Sequence, residues 1–179
     1  NGELVKSMGT RIIVCGLNGT GKSTLGKVLA EKLDFYFIDS ENLYFPASDS
    51  CYNYALPRTR KEAEKLLFHE ITLHKNFVLA SVKGDYGELI HPFFQYAVLI
   101  DVPKDIRLQR VKNRSYQKFG NRMLPGGDLH EQEEEFFHFV ESRKEEDVEE
   151  WLQSLSGPII RVDGTRSVEE NVILIIEQI

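Results

Sequence analysis

The chemistry in this chain begins at Gly16-Leu17-Asn18-Gly19-Thr20-Gly21-Lys22-Ser23, which has the spacing G-x-x-x-x-G-K-[ST]. Each residue type in that pattern has a physical task. Glycines let the backbone turn through positive φ and bring N–H groups close to phosphate oxygens. A helix opening near Lys22 points the positive end of its dipole at the same oxygens. Lys22 supplies a mobile cation for the β- and γ-phosphates, and Ser23 offers a hydroxyl to Mg²⁺. Thr24 supports the turn or touches the α-phosphate. Asn18, Gly19, Thr20 and Gly21 complete the cradle. The expected ligands are ATP or a close analogue and Mg²⁺; the motif speaks for binding and leaves turnover open.

Two further segments carry charge suited to phosphate chemistry. Asp101-Val102-Pro103 is followed by Lys104, Arg107, Arg110, Lys112 and Arg114. Arg110 and Arg114 are i and i+4, so on a helix they share one face. Phosphoryl transfer needs cations on spreading charge, although the same residues also suit a solvated basic surface. The second segment is Asp163-Gly164-Thr165-Arg166, which is in itself a good strand-to-helix turn. For a phosphoryl acceptor the candidates are Asp39, Glu41, Arg58, Arg60, Lys83 and Asp85. Asp39 suits a base toward a hydroxyl, a group in the Mg²⁺ environment, or a cap. Arg58 and Arg60 suit a clamp on an anion, or equally solvated charges at a helix start.

The elements that would position these residues follow from apolar periodicity. Short apolar runs alternate with helical patterns, which predicts βαβ units on a parallel sheet. The predicted strands are Ile12 to Cys15, Phe35 to Ile38, Phe77 to Val82, Tyr96 to Val102 and Pro158 to Val162. Lys22 to Leu33 reads as a helix with Leu25, Val28, Leu29 and Leu33 inward. Ser40 to Pro57 reads as irregular. Thr59 and Glu62 form a capping box ahead of a helix with Ala63, Leu66, Leu67 and Ile71 buried. Pro103 opens a helix to about Arg114, and Ser115 to Asp128, with Gly126-Gly127, reads as a loop or flap. Glu131 to Leu155 is an acidic helical pattern with a break near Ser142. Its carboxylates are expected in solvent, with Phe136, Phe137, Val140, Trp151 and Leu152 inward. Ser167 and Glu170 form a second capping box before a helix with Val172, Ile173 and Ile176 inward.

On these residues the chain resembles the nucleoside-monophosphate kinase and shikimate kinase group of P-loop phosphotransferases. Asp101-Val102-Pro103 through Arg114 is similar to the adenylate kinase segment that leads into a mobile lid. The resemblance implies that Arg110 lies over the adenine side of ATP and Arg114 reaches its phosphates. It also implies that Asp163, Gly164 and Thr165 line the adenine pocket. A lid would span about 115–135, with Lys118, Arg122 or the later Arg143 swinging onto the phosphates. The acceptor region would span about 40–76. The implied fold is a three-layer α/β/α sandwich with a parallel sheet in the order 2-3-1-4-5. The strand before Lys83-Gly84-Asp85 also resembles gluconate kinase-like enzymes. The resemblance breaks after the third strand, where neither the Asp-Gly-Phe-Pro-Arg of adenylate kinases nor the Gly-Gly-Gly of shikimate kinases occurs, so the acceptor is left open. A guanine-reading segment at Lys83-Gly84-Asp85 is rejected, since Val82 stands where Asn is needed.

Composition bounds the rest. The chain has 179 residues, 41% hydrophobic and 28% charged, with a net charge of -6. That suits one globular domain and argues against nucleic-acid binding, which needs a basic surface. The two cysteines, Cys15 and Cys51, do not make a disulfide framework. No apolar run approaches a membrane span, and the first ten residues carry no leader-like apolar stretch, so the expected location is cytoplasmic. The five histidines show no ligand spacing. The expectation is ATP-dependent transfer to a small-molecule acceptor by a monomer or weak homodimer. A regulatory nucleotide-binding ATPase that docks a protein partner is the alternative.

Overall fold

The computed structural model describes residues 9–45 and 57–179. Cys51, and the part of the expected irregular stretch at 46–56, lie outside them. Five strands form one sheet: β1 (Arg11–Cys15), β2 (Tyr36–Asp39), β3 (Phe77–Ala80), β4 (Tyr96–Asp101) and β5 (Ile159–Asp163). Their order is β2-β3-β1-β4-β5, and every pairing is parallel. All five carboxyl ends therefore lie on one edge. β1 lies between β3 and β4, where the order reverses, and this crevice is where open α/β sheets bind ligands.

Strand alternation divides the core. Ile12 and Val14 face one side with Val78, Val98 and Ile100, under Leu25 and Leu29 of α1 (Lys22–Leu33) and Val172 and Ile175 of α7 (Val168–Ile176). Ile13 and Cys15 face the other side with Leu79 and Leu99. They lie under Ala63, Leu67 and Ile71 of α3 (Arg60–Leu73) and Val148 and Leu152 of α6 (Glu145–Gln153). A third cluster of Val111, Met123, Phe137 and Val140 joins α4 (Lys104–Phe119) to α5 (His130–Ser142). No described helix is long and apolar enough to cross a membrane.

Thr59 caps α3 in the expected capping box with Glu62. Four expectations are corrected. Ser40 to Tyr44 forms a short helix, α2, because the Asp39 carboxylate accepts the Glu41 N–H at 3.0 Å and caps its start. α4 continues past Arg114 to Phe119, since Ser115 is buried and its hydroxyl donates to Glu133 Oε2 at 3.1 Å. The remainder of the expected flap is a 3₁₀ turn over Gly120–Met123 and a tight turn. Glu133 is accordingly buried rather than solvated, at 3% exposure. In α7 the inward stripe runs through Asn171, Val172 and Ile175, spaced i, i+1, i+4, which leaves Ile173 58% exposed. Ser167 caps α7 by accepting from the Glu170 N–H.

Candidate functional site

The loop from Gly16 to Gly21 joins β1 to α1 at the switch point. Gly19 and Gly21 have φ of 83° and 87°, as a turn that exposes successive N–H groups requires. A Cβ at Gly19 would also run into the carbonyl of Arg107 on α4. The Thr20 hydroxyl donates to the Leu17 carbonyl at 2.9 Å, closing the turn from inside. Gly21 precedes α1 with no side-chain cap, so the first-turn N–H groups of α1 have no side chain competing for them.

Lys22 starts α1 and lies among charges of both signs. Desolvation pushes its ammonium down to about 8, and repulsion from Arg114 and Arg143 adds to this, while Asp39 and Glu41 partly offset it. Residues from three places in the chain thus act on one ammonium: Arg114 from α4, Arg143 from the break between α5 and α6, and the two carboxylates around the start of α2. Arg143 Nη1 donates to Asn18 Oδ1 at 3.1 Å, with its guanidinium 4.9 Å from the Phe139 ring centroid. A cation-rich pocket beneath open N–H groups suits a polyphosphate. Ser23, the second residue of α1, carries the hydroxyl that suits Mg²⁺ here.

Beside the loop lies a pocket of about 360 Å³ lined by Thr20, Gly21, Thr24, Arg110, Gly164, Arg166, Ser167 and Asn171. Arg110 donates to the Gly19 carbonyl at 3.3 Å and the Gly164 carbonyl at 3.0 Å, tying the phosphate loop to the turn after β5. That turn is held by Asp163, whose carboxylate accepts from the Thr165 N–H (2.9 Å) and hydroxyl (2.6 Å). The Thr165 hydroxyl bond holds this exposed carboxyl below its ordinary range. Gly164 N–H donates to the Asp101 carbonyl, and a Cβ there would meet Val102, Ile100 and Thr20.

The acceptor candidates divide. Lys83 Nζ is 3.7 Å and Arg60 Nη2 3.5 Å from Asp85 Oδ2, and Arg60 also donates to the Asp85 carbonyl. Asp85 acts electrostatically on Arg143, so this cluster adjoins the phosphate site. The Tyr86 hydroxyl lies 2.9 Å from Ser81 Oγ beneath it, and burial pushes that phenol up. Arg58 instead donates to the Asn42 and Leu43 carbonyls at the end of α2. Arg122 chelates Asp128 at 3.0 and 2.8 Å within the α4–α5 connection, and Lys118 lies over the Phe119 ring. Sequence reasoning missed Arg166, Ser167 and Asn171 as pocket lining, and Arg107, which is 2% exposed despite its place in a basic run. Alternate burial along α4 was the available signal, since Arg107 and Val111 are i and i+4.

The sequence profile of the AAA domain family matches residues 12–138. The chain is 30% identical over 173 residues to the uncharacterized protein YqaC of Bacillus subtilis strain 168, covering 92% of this chain and 94% of that one. It is 29% identical over 133 residues to a shikimate kinase of Gloeobacter violaceus, covering 68% and 71%. Among solved structures, deoxyadenosine kinase from M. mycoides with bound dATP superposes with a TM-score of 0.57 at 15% identity, covering 93% of this chain and 97% of that one. The last of these is a likeness of fold.

Proposed function

The chain belongs to the AAA domain family, and on that premise we propose that it transfers the γ-phosphoryl of Mg·ATP to a small-molecule acceptor. The observation that carries this reading is the open phosphate loop, turned at Gly19 and Gly21, with Arg143 bonded to its Asn18 at 3.1 Å and the charges of Arg114, Asp39 and Glu41 acting on Lys22. Hydrolysis needs no second cluster, whereas transfer needs a place for an acceptor. Lys83, Arg60 and Asp85 adjoin the phosphate site and supply donors and an acceptor of hydrogen bonds for a polar molecule. Similarity to a shikimate kinase over 68% of the chain supports the same class.

In this reading the loop N–H groups from Gly16 to Thr24 hold the phosphates. Lys22, Arg114 and Arg143 meet the charge that spreads over the transferring phosphoryl group. Mg²⁺, held by Ser23, would neutralise phosphate charge. The acceptor hydroxyl oxygen forms a bond to the γ-phosphorus as the bond from phosphorus to the β–γ bridging oxygen breaks. The hydroxyl proton passes to a carboxylate at the acceptor side, for which Asp39 and Asp85 are the candidates. Arg110, Gly164 and Asn171 frame the base pocket. Arg58, engaged by α2 carbonyls, supports the acceptor wall rather than the acceptor itself.

Lys22→Ala tests the assignment. It removes the central cation while leaving both core faces untouched. Nucleotide-dependent turnover should fall below detection with an unchanged circular dichroism spectrum; undiminished turnover would contradict the reading. The AAA domain match equally suits ATP hydrolysis tuned by a protein partner. ADP release independent of any small acceptor would favour that reading.

A further inference from the structure

Arg107 is out of place for a helix-surface cation. It is 2% exposed, its Nε donates to the Val102 carbonyl at 3.2 Å, and its Nη1 finds no acceptor among the described residues. It borders a cavity of about 20 Å³ directly behind the phosphate loop, shared with Gly16, Leu17, Thr20 and Glu145. A leucine or methionine would fill this position on α4 without the desolvation of a guanidinium, and buried ion pairs replaced by apolar groups are often neutral or stabilising. Stability therefore does not account for the charge.

Its contacts offer a different account. The Arg107 carbonyl is the wall against which Gly19 turns. Its guanidinium Nη2 is 3.7 Å from Glu145 Oε1, the one carboxylate in ion-pair distance of it among the described residues. The Glu145 side chain is 63% exposed, so packing does not hold it, and the buried charge does. Only the arginine end of this pair is desolvated, and the pull on Glu145 comes from that one buried cation. Glu145 is the first residue of α6 and follows Arg143 by two positions. Arg143 and Lys144 are both extended between two helices, with φ/ψ of −68°/139° and −106°/138°. The aim of the Arg143 side chain at Asn18 thus depends on where the first turn of α6 is anchored. One turn later Glu149 is chelated by Arg161 at 2.6 and 2.8 Å, which fixes the axis of α6 but lies farther from Arg143.

We propose that Arg107 is a positioning residue that sets Arg143 against the phosphate loop by holding Glu145. The same residue thereby bears on the phosphate loop twice, by its carbonyl against Gly19 and, through Glu145, by the arginine bonded to Asn18. This rests on the reading of Gly16 to Ser23 as a nucleotide site.

The sign of one substitution separates the idea from plain electrostatics. Removing an acidic group near a polyphosphate site should tighten binding by charge alone; loss of the anchor should weaken it. The experiment measures the Kd of Mg·ATP by calorimetry on the full chain for wild type, Glu145→Ala, Arg143→Ala and the double variant. Glu145→Ala should weaken ATP by about fivefold in the wild-type background and by less than about twofold when Arg143 is already Ala, the non-additivity expected of residues acting as one unit. Arg107→Met should match Glu145→Ala; should it fail to fold, the exposed Glu145 still carries the test. Tighter or unchanged binding in Glu145→Ala, or equal weakening in both backgrounds, overturns the inference and leaves the nucleotide site standing. Absence of ATP binding by wild type overturns the nucleotide reading and this inference with it.

Discussion

Lys22 concentrates the physics of the site in one side chain. In the ligand-free protein its ammonium is desolvated and faces Arg114 and Arg143, and these effects together bring it to about 8. A bound triphosphate adds several negative charges and raises it again. The sign follows. Below about pH 7, Lys22 is already protonated and binding moves no proton to it. Above about pH 8 the free protein has lost that proton, so binding must take one up. ATP affinity should then fall by up to about tenfold per pH unit between roughly 8.5 and 10. Calorimetry in two buffers of different ionisation enthalpy should show net proton uptake at pH 9; a pH-independent affinity with no uptake would contradict this account of Lys22. The loop itself was legible because its spacing encodes its conformation. The partners of Lys22 were harder to read. Asp39 and Arg114 stood out by their positions next to a strand and on a basic helix. Glu41 stood only among the acceptor candidates, and Arg143 follows a helix break whose direction in space no local pattern gives.

At the level of elements, the phosphate loop and α4 form one unit. Gly19, at φ 83°, turns against the Arg107 carbonyl, and its own carbonyl accepts from Arg110. Gly19→Ala imposes both a left-handed alanine and a collision with backbone, for a combined cost of about 2–4 kcal/mol. The melting temperature should fall by roughly 5–10 °C, and ATP affinity should drop by at least about tenfold, since the loop cannot retreat without moving α4. Retention of both would mean that the loop is seated elsewhere. The boundaries of α4 show what the sequence could not settle. Phe119-Gly120 is where α4 stops, but the Ser115–Glu133 bond and the Met123–Phe137 packing that carry it past Arg114 are contacts across the hairpin. The expected flap is therefore an extension of α4 to Phe119 and a 3₁₀ turn to Met123 with their own small core, and Arg122 in that turn is bound to Asp128. The break between α5 and α6 was visible near Ser142, where the apolar stripe shifts from Val140 to Val148.

At the scale of the molecule, the central strands β1, β3 and β4 are buried nearly throughout and so covered on both faces. The number and positions of the strands were readable, while the order β2-β3-β1-β4-β5 came only by family resemblance and is now seen in the structure. Parallel strands bring Cys15, Asp39, Ala80, Asp101 and Asp163 to one edge, so groups far apart in sequence surround one loop. That arrangement explains why the donor half was legible and the acceptor half was not. The proposed donor half is built from a contiguous motif whose main-chain N–H groups suit phosphate, the part common to all nucleotides. The proposed acceptor half draws on single side chains of α3 and the segment after β3, each unremarkable in sequence. The central claim, phosphoryl transfer to a small acceptor, is tested most directly by incubating the full chain with Mg·ATP and pooled nucleoside monophosphates, nucleosides, sugar acids and shikimate-like alcohols, following ADP release and phosphorylated product together. The account predicts that one pool raises ADP release well above the acceptor-free rate, with one phosphorylated product formed per ADP. ADP release that is the same in every pool, with inorganic phosphate as its only counterpart, would contradict it.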